Sequence, residues 1–344
     1  MEYKRIIPFL SLIAALLVLP VKGGAQELRF HQNGEFKILQ LTDIHYKLHN
    51  PASQPALWNI DEMIRAEQPD LIVITGDVVY SRPADSTLQV VLDRVAAHGR
   101  PFVLLFGNHD EERGMTNTEL YDIIRKAPHC LMPDRAGQPS PDYTLPILAH
   151  DGSRTAAVLY CMDSHNHSTL PGVKGYAWMT PEQVVWYNRE SARYTQANSG
   201  TPLPALAFFH IPLPEYSYAL ADGNDILVGH RMEKVCCPPL NTGLFASMRI
   251  RGDVMGVFCG HDHDNDYSVM YHDILLAYGR FSGGNTEYNH LPNGARVIVM
   301  KEGQRSFDTW IRVRKQGIEN KTTYPSSYVK DNWKARPLPT SADE

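Results

Sequence analysis

The amino-acid sequence predicts a layered α/β fold with a largely parallel core. Two patterns carry that reading. Five apolar runs of four to seven residues each stop at a cluster of polar, ligand-type side chains. Segments with one apolar helical face separate the first three of these runs. Runs of Val, Ile, Leu and Phe bounded by glycine read as strands covered on both faces, the pattern of parallel sheets.

The first strand starts at Phe36 and runs into Thr42-Asp43-Ile44-His45. A helix follows over Leu57 to Glu67, with Leu57, Ile60 and Ile64 on one face. The second strand, from Leu71, ends at Gly76-Asp77, and a second helix over Leu88 to Ala97 presents Val91, Leu92 and Val95. The third strand, from Phe102, ends at Gly107-Asn108-His109-Asp110. Such alternation gives right-handed crossovers, and ligands of such sheets gather at the carboxyl ends of the strands, where the polar clusters lie. Ala156 to Tyr160 reads as a further strand leading into Asp163-Ser-His-Asn-His167. A third helix starts at Thr180, with Pro181 at its first position and Gln183 completing a capping box. The fourth run, from Ala205, ends at His210, and the fifth, from Val254, ends at Gly260-His261-Asp262-His263. Ile274 to Ala277, Arg296 to Met300 and Thr309 to Val313 read as short strands of a second sheet. Beyond Lys315 the chain turns polar and contains proline, so residues 316–344 read as a surface extension of a domain spanning 26–315.

With 344 residues, 43% of them apolar, the chain has ample length for a substantial core. Its net charge of −5 comes without a basic stripe, so no nucleic-acid surface is expected. Residues 1–25 read as an export signal: Lys4 and Arg5 precede the apolar run Ile6 to Val21, which ends at Gly23-Gly24-Ala25. Pro8 and Pro20 interrupt that run, against a permanent membrane span. The mature protein is therefore expected to be periplasmic or secreted. Cys161 and Cys259 lie inside apolar runs and read as small buried hydrophobes. Cys236 and Cys237 are adjacent, which is not zinc-site spacing, and no disulfide is assigned.

In order, the clusters spell D-x-H (Asp43, His45), G-D (Gly76, Asp77), G-N-H-D (Gly107 to Asp110), a strand-end His210, and G-H-x-H (Gly260 to His263). Singly each is weak; all five in sequence, each after an apolar strand, are specific. The set resembles the metallophosphoesterase superfamily, the calcineurin-like phosphoesterases, over residues 36 to 300. The phrases His210-Ile-Pro-Leu-Pro-Glu215, Asn241-Thr-Gly243 and Phe258-Cys-Gly-His-Asp-His263 are similar to its purple-acid-phosphatase-like branch with a D-x-H first motif.

That resemblance implies a four-layer α/β/β/α sandwich of two mixed sheets with two metal ions at the strand ends. It assigns Asp43, His45, Asp77 and His263 to one ion, and Asp77, Asn108, His210 and His261 to the other, with Asp77 bridging through its two oxygens. Alternate residues of a strand point the same way, so Asp43 and His45 are expected to chelate together. A shell of imidazole, carboxylate and amide suits divalent or mixed-valence Fe, Zn or Mn. Such a pair supplies hydroxide near neutral pH and clamps phosphoryl oxygens. His109 is the expected proton donor to the leaving group, with Asp110 orienting its imidazole. Ordinary purple acid phosphatases replace the His of D-x-H by Gly and use the Tyr of G-D-x-x-Y as a ligand. This chain has both His45 and Tyr80, and His45 is the expected ligand, with Tyr80 as a wall.

Several residues carry two readings. His165 and His167 contact substrate or lie in a solvated loop. Arg280 grips a phosphate or forms a structural salt bridge. Asp262 and Asp264 flank ligand histidines and read as supporting or surface groups, Asp61-Glu62 as a solvated helix face, and Trp186 with Tyr187 as core and rim. The expected function is hydrolysis of a small phosphate monoester, with a phosphodiesterase or a non-catalytic scaffold as alternatives.

Overall fold

A computed structural model of the protein describes residues 27–138, 140–221 and 226–329. The expected signal segment, 1–25, and most of the expected extension lie outside these residues. In chain order the elements are β1 (Leu28–Arg29), β2 (Glu35–Leu41), α1 (Gln54–Glu67), β3 (Leu71–Thr75), α2 (Ala84–Ala96), β4 (Phe102–Leu105) and α3 (Asn117–Ile124). Then come β5 (Tyr143–Leu148), β6 (Thr155–Cys161), α4 (Pro181–Ala197), β7 (Ala205–Phe208), α5 (Glu215–Ala221), β8 (Leu227–Val228), α6 (Leu244–Arg251) and β9 (Val254–Cys259). The chain continues through β10 (Ser268–Tyr271), β11 (Ile274–Tyr278), β12 (Gly294–Lys301), β13 (Phe307–Val313) and β14 (Gly317–Tyr324).

Two mixed sheets result. One runs β1-β5-β6-β7-β9-β11-β10-β8 and the other β14-β13-β12-β2-β3-β4. The parallel trio β2-β3-β4 and the parallel run β6-β7-β9-β11 carry the motifs. The sheets face each other, as the alternation along β7 shows. Leu206 and Phe208 join the cluster that contains Ile38, Val297 and Phe258, whereas Ala205 and Ala207 join Tyr187 and Tyr194 of α4 and Met248 of α6. Helices α1 and α2 cover the other outer face with Ile60, Ile64, Val91 and Leu92. The result is the expected four-layer sandwich. Helix α4 begins as its sequence implies: Thr180 accepts from the Gln183 amide, and the Gln183 side chain accepts from the Thr180 amide.

Two expectations about the late strands are corrected. Residues 274–277 lie in β11, which pairs with β9 in the first sheet, whereas 296–300 and 309–313 lie in β12 and β13, which extend the sheet of β2. Local periodicity carries no information about which sheet a strand joins. The segment from 316 is not an extension throughout, since β14 pairs antiparallel with β13 from Phe307↔Tyr324 to Val313↔Gly317. It is an edge strand with a wet face, so its sequence is polar. Among the described residues no helix is long and apolar enough to cross a membrane.

Candidate metal centre

Each polar cluster sits just past the carboxyl end of a parallel strand. Asp43 and His45 follow β2, Asp77 follows β3 and Asn108 follows β4; His210 follows β7, and His261 and His263 follow β9. All seven are buried. Six of them form two adjoining groups, Asp43-His45-His263 and Asp77-His210-His261, and Asn108 stands beside the second. In the first, His45 Nε2 lies 3.0 Å from His263 Nε2, and His263 Nε2 lies 3.6 Å from Asp43 Oδ1. In the second, His210 Nε2 lies 3.2 Å from Asp77 Oδ2, 3.3 Å from His261 Nδ1 and 3.2 Å from Asn108 Oδ1.

Imidazole nitrogens brought this close fit a shared cation. Ligand nitrogens about 2.0–2.1 Å from one ion stand roughly 2.9 Å apart at right angles and about 3.3 Å apart in a tetrahedron. The tautomers agree. His210 Nδ1 donates to Thr75 O at 2.7 Å and His263 Nδ1 to Tyr288 O at 2.9 Å, so each turns the Nε2 lone pair inward. Burial holds His45 and His261 well below the ordinary histidine range, leaving neutral imidazoles able to ligate. Burial would lower His210 too, but Asp77 and then Asp43 outweigh it and raise it to about 10. The two carboxylates thus favour positive charge beside them, which a metal ion would supply in place of the proton.

Two details differ from expectation. Asp43 and His45 do meet, with His45 Nε2 at 3.9 Å from Asp43 Oδ1, but strand alternation does not bring them together. The strand ends at Leu41, and both residues have left-handed backbone, φ 53° and 44°. Asp77 (54°) and His261 (78°) share that conformation, so unfavourable backbone is concentrated at this centre. The second difference concerns Asp77, which faces both groups through one oxygen rather than two. Its Oδ2 lies 3.7 Å from His45 Nε2 as well as 3.2 Å from His210, while Oδ1 accepts from the His109 amide at 2.8 Å.

The motif glycines permit this crowding. A Cβ on Gly107 would stand 2.2 Å from Asp77 Oδ1, and one on Gly260 would stand 1.9 Å from Thr42 Oγ1. Each ligand group also draws on both sheets, and polar links fix the sheets together at this end: Gln40 Nε2 donates across to Cys259 O at 3.0 Å.

His109 lies at the edge of the centre, about a third exposed, with its ring 5.5 Å from that of His45. Asp110 does not orient it. The Asp110 carboxylate turns inward and accepts four backbone N–H groups, from Asp77, Gly107, Val78 and Val79. The 3₁₀ turn Asp110–Arg113 brings round Glu112 instead, whose Oε2 lies 2.9 Å from His109 Nδ1. Sequence reasoning missed Glu112, although its spacing of three residues from His109 is one turn. Tyr80 packs edge-on against His45 with 4.6 Å between ring centres, and its hydroxyl donates to Glu287. Burial and then Glu287 push that phenol up to about 12, which suits the wall reading.

The remaining candidates separate. Arg280 is buried and structural, its guanidinium held by Asp266 at 2.6 Å and by Glu319 of β14 at 3.3 Å. Asp262 accepts from the Tyr278 hydroxyl at 2.6 Å and the Cys236 amide, and Asp264 from the His290 amide at 2.7 Å; both are supporting groups. Asp61 pairs with Arg94 and His98 between α1 and α2, so that face is less solvated than expected. Tyr187 is core, and Trp186 packs at the rim against Tyr160. His165 and His167 lie on neither metal group but line a cavity of about 750 Å³. Tyr176 connects the two places: its ring stacks on His167 and meets His261 edge-on at 4.4 Å.

Comparison with known proteins agrees with this geometry. The calcineurin-like phosphoesterase family profile matches residues 36–265. "Probable inactive purple acid phosphatase 29" of Arabidopsis thaliana is 32% identical over 342 residues, covering 88% of this chain and 86% of that protein. "Probable inactive purple acid phosphatase 14" of the same plant is 33% identical, covering 76% and 73%. In fold, the chain is similar to a dimetal phosphatase from Danio rerio, with a TM-score of 0.58 at 13% identity over 84% of this chain and 98% of that one. The chain belongs to the calcineurin-like metallophosphoesterase superfamily, in its purple-acid-phosphatase-like branch.

Proposed function

We propose that this protein is an exported phosphomonoesterase that works with two metal ions held by Asp43, His45, Asp77, Asn108, His210, His261 and His263. The observation that carries the reading is the pair of buried ligand groups, each facing Asp77 Oδ2, with His109 at their open edge. Fe, Zn or Mn suits the donor set, and when bound such a pair supplies Lewis acidity toward phosphoryl oxygens and activates water. The chain's own residues do the rest. His109 gives a proton from its imidazole to the departing alkoxide. Glu112, on Nδ1, keeps the ring turned so that Nε2 faces that oxygen. Asp110 fixes the backbone that carries Asp77 and Gly107, and therefore the spacing of the ligands.

Two relatives carry the name "Probable inactive purple acid phosphatase", and this chain is read as active on its own residues: seven ligand-type side chains are buried together with His109 at their edge. The composition of residues 1–25 supports export. The test is turnover of nitrophenyl phosphate and bis(nitrophenyl) phosphate by the metal-loaded protein, with metal content measured alongside. The monoester should be the better substrate, and His109→Ala should lower turnover of an alkyl phosphate, whose leaving alkoxide needs the proton, by roughly 10²–10⁴-fold at unchanged metal content. Preference for the diester would move the assignment to a phosphodiesterase. Absence of turnover on both would leave a scaffold.

A further inference from the structure

This inference rests on the phosphomonoesterase reading and concerns what lies beyond the phosphate. The cavity beside the centre has a volume of about 750 Å³, within the usual range for small-molecule sites. Its walls combine one segment from just after β6, which carries Asp163, Asn166 and Leu170, with Trp178 and with Glu111. Glu111 comes from the same turn as His109 and Glu112, and Asn166 Nδ2 donates to its Oε1 at 3.0 Å. The cavity is thus linked to the expected proton donor by this turn, and to the second metal group by Tyr176, which packs between the lining His167 and His261.

The lining chemistry restricts that group. Among the described residues no lysine or arginine lines the cavity, whereas Glu111 and Asp163 do, beside His165 and His167. A second phosphate would meet these two carboxylates with imidazoles as the only cationic partners, at a cost set by repulsion in a partly desolvated site. Asp163 uses only Oδ1 within the protein, accepting from the His165 amide at 2.8 Å, and Glu111 uses only Oε1. Each therefore keeps a carboxylate oxygen for a donor on a ligand. Trp178 is half-buried and Leu170 is 48% exposed, so an apolar surface stands beside these acceptors. A ring with several hydroxyls along its edge and C–H groups on its face satisfies both walls. A two-carbon amino alcohol satisfies the charge but fills little of the volume.

We infer that this cavity is the leaving-group subsite and that the substrates are sugar monophosphates, whose neutral, polyhydroxylated ring hydrogen-bonds to Asp163 and Glu111 and packs on Trp178. The reaction adds water across the P–O bond: the sugar oxygen takes a proton and leaves as the free alcohol, and the phosphoryl group leaves as inorganic phosphate. The test compares glucose 6-phosphate, glucose 1,6-bisphosphate, phosphoethanolamine and adenosine 5′-monophosphate on the metal-loaded full chain, with nitrophenyl phosphate as the measure of the centre itself. Glucose 6-phosphate should exceed each of the other three natural esters at least tenfold in kcat/KM. Trp178→Ala should raise its KM tenfold or more. Glu111→Lys should shift the ratio of bisphosphate to monophosphate turnover tenfold toward the bisphosphate, a gain that misfolding does not produce. Equal or better turnover of any of the three alternatives overturns the inference, as does a KM within twofold in Trp178→Ala or an unshifted ratio in Glu111→Lys. Nitrophenyl phosphate turnover without preference for the sugar ester sinks this inference alone. Loss of turnover on every ester sinks the hydrolase reading beneath it.

Discussion

Asp110 is the residue whose role changed most between sequence and structure. Its neighbour His109 made it look like an orienting carboxylate, but the 3₁₀ turn that follows sends the two side chains in different directions. Turn geometry of that kind is not legible in residue spacing. The seven ligand-type residues were legible, because each marks the abrupt end of an apolar strand. Asp110→Asn keeps one acceptor oxygen but sets an amide against two of the N–H groups that the carboxylate satisfies. We expect a loss of about 2–4 kcal/mol from two unpaired buried donors. Urea unfolding of the metal-free variant would show it, and a loss under 1 kcal/mol would reduce Asp110 to an ordinary buried acid. A second carboxylate, Asp142, is raised to about 6 by burial, with Asp163 N and Gln183 Nε2 both bonded to Oδ1. Its folded value lies above its ordinary 3.8, so the fold favours the protonated form and ionisation costs stability as pH rises through that window. Asp142→Asn retains the accepting oxygen and should stabilise the protein by about 2 kcal/mol at pH 8 and by less than half of that near pH 4.5. Equal effects at the two pH values would contradict the shift.

Among the elements, the strands and helices built on strong periodicity were readable, and so was the start of α4, whose capping residues act within one turn. The assignment of late strands to sheets was not, because register with distant partners decides it. β14 was invisible for a related reason. Its burial alternates weakly, with Ile318 49% exposed, and only pairing with β13 makes it a strand. It is nevertheless built into the core, since Glu319 reaches Arg280 and the Tyr328 hydroxyl just beyond it lies 2.6 Å from Ser268 Oγ in the opposite sheet. A chain ended after Lys315 exposes the edge of β13 and removes one partner of a buried arginine, so it should be largely insoluble or melt at least 10 °C lower. Melting unchanged from the full chain would restore the view of this segment as an appendage.

At the scale of the molecule, the centre lies across the seam between sheets. Asp43, His45, Asp77 and Asn108 come from the six-stranded sheet, and His210, His261 and His263 from the eight-stranded one. An ion held there fastens one layer to the other, so occupancy and stability are linked. Stripping metal with a chelator should lower the melting temperature, and zinc at a hundred times its dissociation constant should restore about 2.7 kcal/mol per independent site. Melting that ignores metal would argue that the seam holds without it. The order of strands in that six-stranded sheet has a further consequence for biosynthesis. β2 lies in the interior of the sheet, yet Ile38, which leaves the ribosome about 260 residues earlier, finds its antiparallel partner only when Ile298 appears. Until then the nascent chain carries an unmet hydrogen-bonding edge on an interior strand, a hazard that favours a holding chaperone over folding piece by piece.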